Sequence, residues 1–145
     1  MSAEPKLQIK ELTDRIVLPS ITRYITQENI KLYAEASLDY NPIHIDEDFA
    51  RNTPLGGTIA HGMLILGYIS HMMTVNFGQA WIDGGSLNLR FKTPARPCDT
   101  VTISGIVNKV ETIENRITAF CGVLCQNQKG ETVVSGEATL KTEGS

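Results

Sequence analysis

The sequence predicts an α+β fold in which one long buried helix is wrapped by a curved antiparallel sheet. Two observations carry that reading. Residues 59–77 are apolar on nearly every helical face, as in a helix with protein on most sides. After them come four segments of strand character, at about 81–91, 101–110, 116–126 and 132–142. Val101, Ile103, Gly105 and Val107 alternate with polar positions, and so do Ile117, Ala119, Cys121, Val123 and Cys125. Period two marks a sheet with one packed face and one wetter face. A helix that must be covered and a long antiparallel meander that must bury one face satisfy each other if the sheet curls around the helix.

The chain has 145 residues, 41% of them hydrophobic. That suits a single domain over residues 1–145, with a core that needs no disulfide or metal staple. Residues 15–25 are rich in β-branched side chains and read as a first strand. Thr26 is the N-cap of the helix that follows, and Ile30, Tyr33, Ala34 and Ser37 keep the spacing of one buried face. That helix ends near Leu38–Asp39. Asp46 caps a short helix running to about Asn52, and Pro54, Gly56 and Gly57 form a loop before the buried helix. Among the strands, Asn127-Gln128-Lys129-Gly130 is a short connection ending in glycine, which suits a hairpin. A single helix inside such a sheet is the hot-dog arrangement.

Composition narrows the function. A net charge of -3 offers no footprint for nucleic acid, and an acidic ligand would need local cations. The apolar stretch 59–77 contains His61, Ser70, His71 and Thr74, too polar and slightly short for a membrane span of about 20 residues. Residues 1–10 carry Glu4, Lys6 and Lys10 and do not read as a signal peptide. Three cysteines, Cys98, Cys121 and Cys125, make an odd and sparse set that fits a reducing cytoplasm rather than a disulfide scaffold. Cys121 and Cys125 are four apart, but no second cysteine or histidine pair follows, so packing is expected and no metal site.

The most specific chemistry lies in Asp39-Tyr40-Asn41-Pro42-Ile43-His44. Asn41 precedes a proline and is pushed toward extended backbone, and Pro42 lacks the N–H that a continuing helix would use. The chain must bend between Asp39 and His44, so a carboxylate and an imidazole can face one cavity. An acid and a base on one rigid turn suit proton transfer to and from water. Taken alone, Asp39 is more often a turn residue bonded to its own backbone, and His44 more often a satisfied, half-buried histidine.

The run from Ser37 to Asp46, followed by Phe49-Ala50, resembles the signature of the MaoC-like, or hydratase 2, proteins, the (R)-specific enoyl-CoA hydratases and their dehydratase relatives. A second match follows at Ile59-Ala60-His61-Gly62-Met63-Leu64. The resemblance implies reversible addition of water to a trans-2-enoyl-CoA, giving an (R)-3-hydroxyacyl-CoA. It implies Asp39 and His44 as the catalytic pair and the Gly62 N–H as donor to the thioester oxygen, with Asn41 and Ser70 in support. It also implies an acyl-CoA substrate, no cofactor beyond the coenzyme A that substrate carries, and a homodimer. Arg90, Lys92 and Arg96 are either a solvated strand end or contacts for coenzyme A phosphates. His61 is expected to cap or brace the helix start, and His71 to serve packing or a dimer contact. Leu38 stands where many relatives have glycine, which matters little if its side chain enters the core. The glycine-rich loop at 54–57 departs from relatives that place larger polar residues there. The alternatives are a thioesterase or acyl-carrier-protein dehydratase on the same fold, or a non-catalytic acyl-CoA-binding subunit.

Overall fold

The computed structural model describes residues 4–143. A short 3-10 turn leads into strand β1 (Val17–Tyr24). Helix α1 (Gln27–Ser37) and two short helices, α2 (Pro42–Ile45) and α3 (Glu47–Arg51), follow. Then come the long helix α4 (Gly62–Phe77), α5 (Gln79–Gly84), and strands β2 (Gly85–Phe91), β3 (Thr100–Ile113), β4 (Arg116–Gln126) and β5 (Thr132–Glu143). The five strands form one antiparallel sheet in the order β1-β3-β4-β5-β2.

The alternation read from the sequence is the inward face. Val101, Ile103 and Val107 of β3 and Ala119, Cys121, Val123 and Cys125 of β4 are buried, packed on Ile65, Ile69, Met72, Met73 and Phe77 of α4. Burying one such side chain contributes roughly 1.5–3 kcal/mol, so this contact dominates the stability of the domain. Burial pushes the Cys121 thiol up to about 11 and Cys125 to about 12, which keeps both as protonated packing groups. The β4–β5 hairpin closes where expected, with Gly130 N–H donating to Asn127 O at 3.0 Å and Gly130 at φ +77°.

Two expectations need correction. The segment 81–91 is not one strand: Trp81 sits in α5, buried, and β2 starts only at Gly85. The chain turns there because only glycine fits, since a Cβ at Gly84 would lie 1.9 Å from Lys141 O. Nor are the last four strands a simple meander. β2 pairs with β5 at the far edge, not with β3. Its outgoing segment carries Pro94 and Pro97, which offer no N–H to a hairpin ladder. That segment is tied instead to other parts of the chain, through Ala60 N–H to Ala95 O at 2.7 Å and Cys98 N–H to Ile25 O at 2.7 Å. Finally, α4 is covered on most of its faces as expected, but one stripe of Met63 (57% exposed), Gly67 and His71 faces outward. His71 therefore does not pack inside this chain. No helix among the described residues is long and apolar enough to cross a membrane.

Candidate active site

The turn after α1 is built by local hydrogen bonds. Thr26 caps the start of α1, its Oγ1 accepting from Asn29 N–H at 3.0 Å. The helix ends on Leu38 at φ +63°. Leu38 is 75% exposed rather than core-facing, and its left-handed backbone is one that favours glycine, since a left-handed residue with a Cβ is strained. Asp39 Oδ1 then accepts from Asn41 N–H at 3.2 Å, and Asn41 Oδ1 caps α2 by accepting from Ile43 N–H at 3.2 Å. Asn41 thus braces the turn. Asp46 does the same one step on, its Oδ1 accepting from Phe49 N–H at 3.1 Å to start α3.

Helix α2 carries His44 inward, where it is 7% exposed. Its Nδ1 lies 2.8 Å from Ile59 O. A carbonyl only accepts, so Nδ1 holds a proton and Nε2 is the ring nitrogen left to serve as a base. Gln27 Nε2 donates to His44 O at 2.8 Å and pins the backbone of the same residue. Thr58 Oγ1 lies 2.7 Å from Gln27 Oε1 and 3.0 Å from Glu47 Oε2, while Thr58 N–H donates to Glu47 Oε2 at 3.1 Å. Those two bonds from Thr58, backbone first, hold the Glu47 carboxyl below its ordinary range.

His61 completes the cluster. It is the N-cap residue of α4 by position, yet its side chain makes no cap hydrogen bond, contrary to the capping expectation. Its ring reaches back instead, placing Nε2 3.0 Å from Asp39 O. The ring stacks on His44 at 3.8 Å between centroids and 24° between planes, and meets Tyr33 edge-on at 4.8 Å. One ligand-type atom from each of Asp39, His44 and His61 lies within 4.8 Å of the other two. A water that bonds two groups at about 2.8 Å each can span up to about 5.6 Å, so one water can join the Asp39 carboxyl to the His44 ring. A shared metal fits the same atoms poorly, because near-parallel stacked rings cannot both direct in-plane lone pairs at one ion.

Gly62 follows His61 and opens α4. Its N–H belongs to the first turn, which the helix itself leaves unpaired, and no hydrogen bond among the described residues uses it. The aligned peptide dipoles of α4 favour negative charge at this end. Beside it lies a pocket of about 270 Å³ lined by residues that include Ile59, Gly62, Ile65, Phe91, Lys92 and Val133.

Comparison with known proteins identifies the family. The MaoC like domain family matches residues 8–127. The chain belongs to the MaoC-like family. An (R)-specific enoyl-CoA hydratase of Rhodospirillum rubrum is 35% identical over 83% of this MaoC-like chain and 82% of its own length. A mitochondrial 3-hydroxyacyl-[acyl-carrier-protein] dehydratase of Arabidopsis thaliana is 32% identical over 81% of this chain and 70% of its own. The unliganded R-hydratase PhaJ1 of Pseudomonas aeruginosa superposes with a TM-score of 0.77 at 29% identity, covering 94% of this chain and 90% of that one. The hot-dog fold expected from the sequence is the fold of these hydratases.

Within the MaoC-like chain, the other expected residues divide. Ser70 accepts from Trp81 Nε1 at 3.0 Å and lines a separate groove with Leu66, Thr74 and Leu87, so it does not touch the Asp39–His44 pair. Arg96 is committed elsewhere: Nη2 donates to Leu55 O at 2.5 Å, and its charge acts on Glu47. Arg90 and Lys92 are exposed and make no ion pair among the described residues. Sequence reasoning missed the His61 contact with Asp39 and the Gln27–Thr58–Glu47 brace. The only signal for the first was the adjacency of His61 to Gly62, and the second had none, since its members lie 11 to 31 positions apart.

Proposed function

We propose that this chain hydrates trans-2-enoyl-CoA reversibly to (R)-3-hydroxyacyl-CoA. The chain is an enzyme of the hydratase–dehydratase class, as its relatives are. The observation that supports the finer reading is the approach of ligand-type atoms of Asp39 and His44 to within 4.8 Å, close enough for one water to join them, with the Gly62 N–H at the start of α4 unpaired among the described residues. The water bridges the two groups and its oxygen bonds to C3 of the alkene. One of its protons passes to the pair, and a proton from the pair ends on C2, so the sum is addition of H and OH. Charge that develops on the thioester oxygen is met by the Gly62 N–H and the α4 dipole.

The pocket beside Gly62 supports placing the thioester arm there, with Lys92 at its rim to meet a coenzyme A phosphate. The exposed edge strand β2 and the outward Met63, Ile82 and Phe91 support a homodimer that covers them. The protonated, unpaired thiols support a reducing compartment such as the cytoplasm. The second reading keeps the chemistry and changes the carrier to acyl-carrier protein, supported by the Arabidopsis thaliana relative.

Purified protein mixed with crotonyl-CoA should remove the enoyl absorbance without releasing thiol. Asp39→Asn and His44→Gln should each lower kcat by about 10²–10⁴ with an unchanged circular dichroism spectrum. Thiol release without hydration would establish a thioesterase instead. Turnover confined to crotonyl-acyl-carrier protein would establish the second reading.

A further inference from the structure

We propose that His61 is a positioning residue of this site, which acts through Asp39 and His44 and does not touch substrate. The proposal rests on the hydratase reading above. Three observations carry it. His61 is 2% exposed, and its Nε2–H donates to the Asp39 carbonyl across 22 positions of sequence. Its ring forms the floor under His44, stacked at 3.8 Å, with Tyr33 on its edge. Its Nδ1 is buried and has no hydrogen-bond partner among the described residues.

The third observation separates this role from a plain structural one. A histidine kept to cap α4 would donate or accept within the first turn, and one kept to satisfy a buried network would use both nitrogens. His61 does neither. Its Nε2 is oriented by a single bond, and that bond goes to the residue bearing the carboxylate. That residue needs a hold, because it follows Leu38 in a strained left-handed conformation and its carboxyl stands exposed at the end of α1. One side chain thus sets the direction of the Asp39 backbone, limits the tilt of the His44 ring, and leads directly into Gly62. All three parts of the reaction site are tied to it, and misplacement of such parts by about 1 Å can cost on the order of 10²-fold in rate.

Two substitutions divide the role. His61→Phe keeps a ring between Tyr33 and His44 but removes the donor to Asp39. His61→Gln removes the ring but carries an amide N–H where Nε2–H stood. For crotonyl-CoA hydration, His61→Phe should lower kcat by at least about tenfold with KM within about twofold. His61→Gln should recover at least about a fifth of the wild-type kcat. Nitrogen-15 spectra of the wild-type imidazoles should show the proton on Nε2 of His61 and on Nδ1 of His44. The proposal is overturned by wild-type kcat in His61→Phe, by a rise in KM alone, or by equal loss in both variants that follows their loss of thermal stability. A proton found on Nδ1 of His61 overturns it whatever the activity. Wild-type protein that hydrates no enoyl thioester, with both tautomers as stated, overturns the hydratase reading and the positioning role of His61 with it.

Discussion

Gly62→Pro isolates one hydrogen-bond donor with little disturbance of the backbone. Gly62 is the first residue of α4, where proline is favoured because its missing N–H would be unpaired in any case. The preceding residue, His61, has φ -60° and ψ 136°, the extended conformation that a residue before proline adopts. Space is the one cost. A Cβ at position 62 lies 3.0 Å from Cε1 and 3.3 Å from Cδ1 of Phe91, a ring that is 53% exposed and can move by a few tenths of an ångström. The substitution also restricts the unfolded chain, which contributes about 0.4–1 kcal/mol to stability. Melting temperature should therefore stay within about 3 °C of wild type. Loss of one preorganised donor should raise the barrier by about 2.7–4 kcal/mol and lower kcat for crotonyl-CoA hydration by about 10²–10³. Gly62→Ala is the control, because it places the same Cβ against Phe91 but keeps the N–H. Stopped-flow or steady-state loss of enoyl absorbance measures all three proteins. A folded Gly62→Pro protein with kcat equal to that of Gly62→Ala would refute the oxyanion argument, since the two share the Cβ contact with Phe91 and differ in the donor and the ring carbons that replace it.

Other outcomes follow from the same structure. Leu38→Gly keeps the left-handed backbone but relieves its strain of about 1–2 kcal/mol, and adds about 0.5–1 kcal/mol of unfolded-state entropy, so thermal melting should rise slightly. An unchanged or lower melting temperature would mean that the exposed Leu38 side chain makes compensating contacts. The Glu47 carboxyl is held below its ordinary range by Thr58, so its contribution to stability is complete above that range and is lost as pH falls through it toward the folded-state value. Melting curves from neutral pH to about pH 3 should therefore fall less steeply for Thr58→Val than for wild type, from a lower starting point. Thiol labelling at neutral pH should modify Cys98 alone in the native protein and all three cysteines in denaturant, because Cys121 and Cys125 are buried with thiols pushed to about 11 and about 12.

Much of this was legible locally. Thr26 and Asp46 cap the helices they were expected to cap, and Asn41-Pro42 makes the bend that turns His44 inward, because caps and pre-proline backbone depend on residues at most three positions away. The inward faces of β3 and β4 were legible for a similar reason, since a pleat of period two shows in the sequence itself. Other features were not readable at that range. Whether the Leu38 side chain enters the core could not be read from its neighbours; its backbone is left-handed and its side chain exposed. Trp81 looked like part of a strand, and only its bond to Ser70 and the close pass of Lys141 at Gly84 show why the chain turns there.

The sequence by itself determined the pieces: the helix caps, the bend carrying Asp39 and His44, and the glycine that begins α4. Tertiary structure alone decided how those pieces meet. Strand β2 was sent to the edge beside β5, one stripe of α4 was left facing outward, and His61 was brought 22 positions back to Asp39 and onto the face of His44. The physical reason is range. Caps and pleats are settled by neighbours along the chain, whereas a stacked imidazole pair and a sheet order are settled by which distant surfaces bury each other best, and no local pattern encodes that choice.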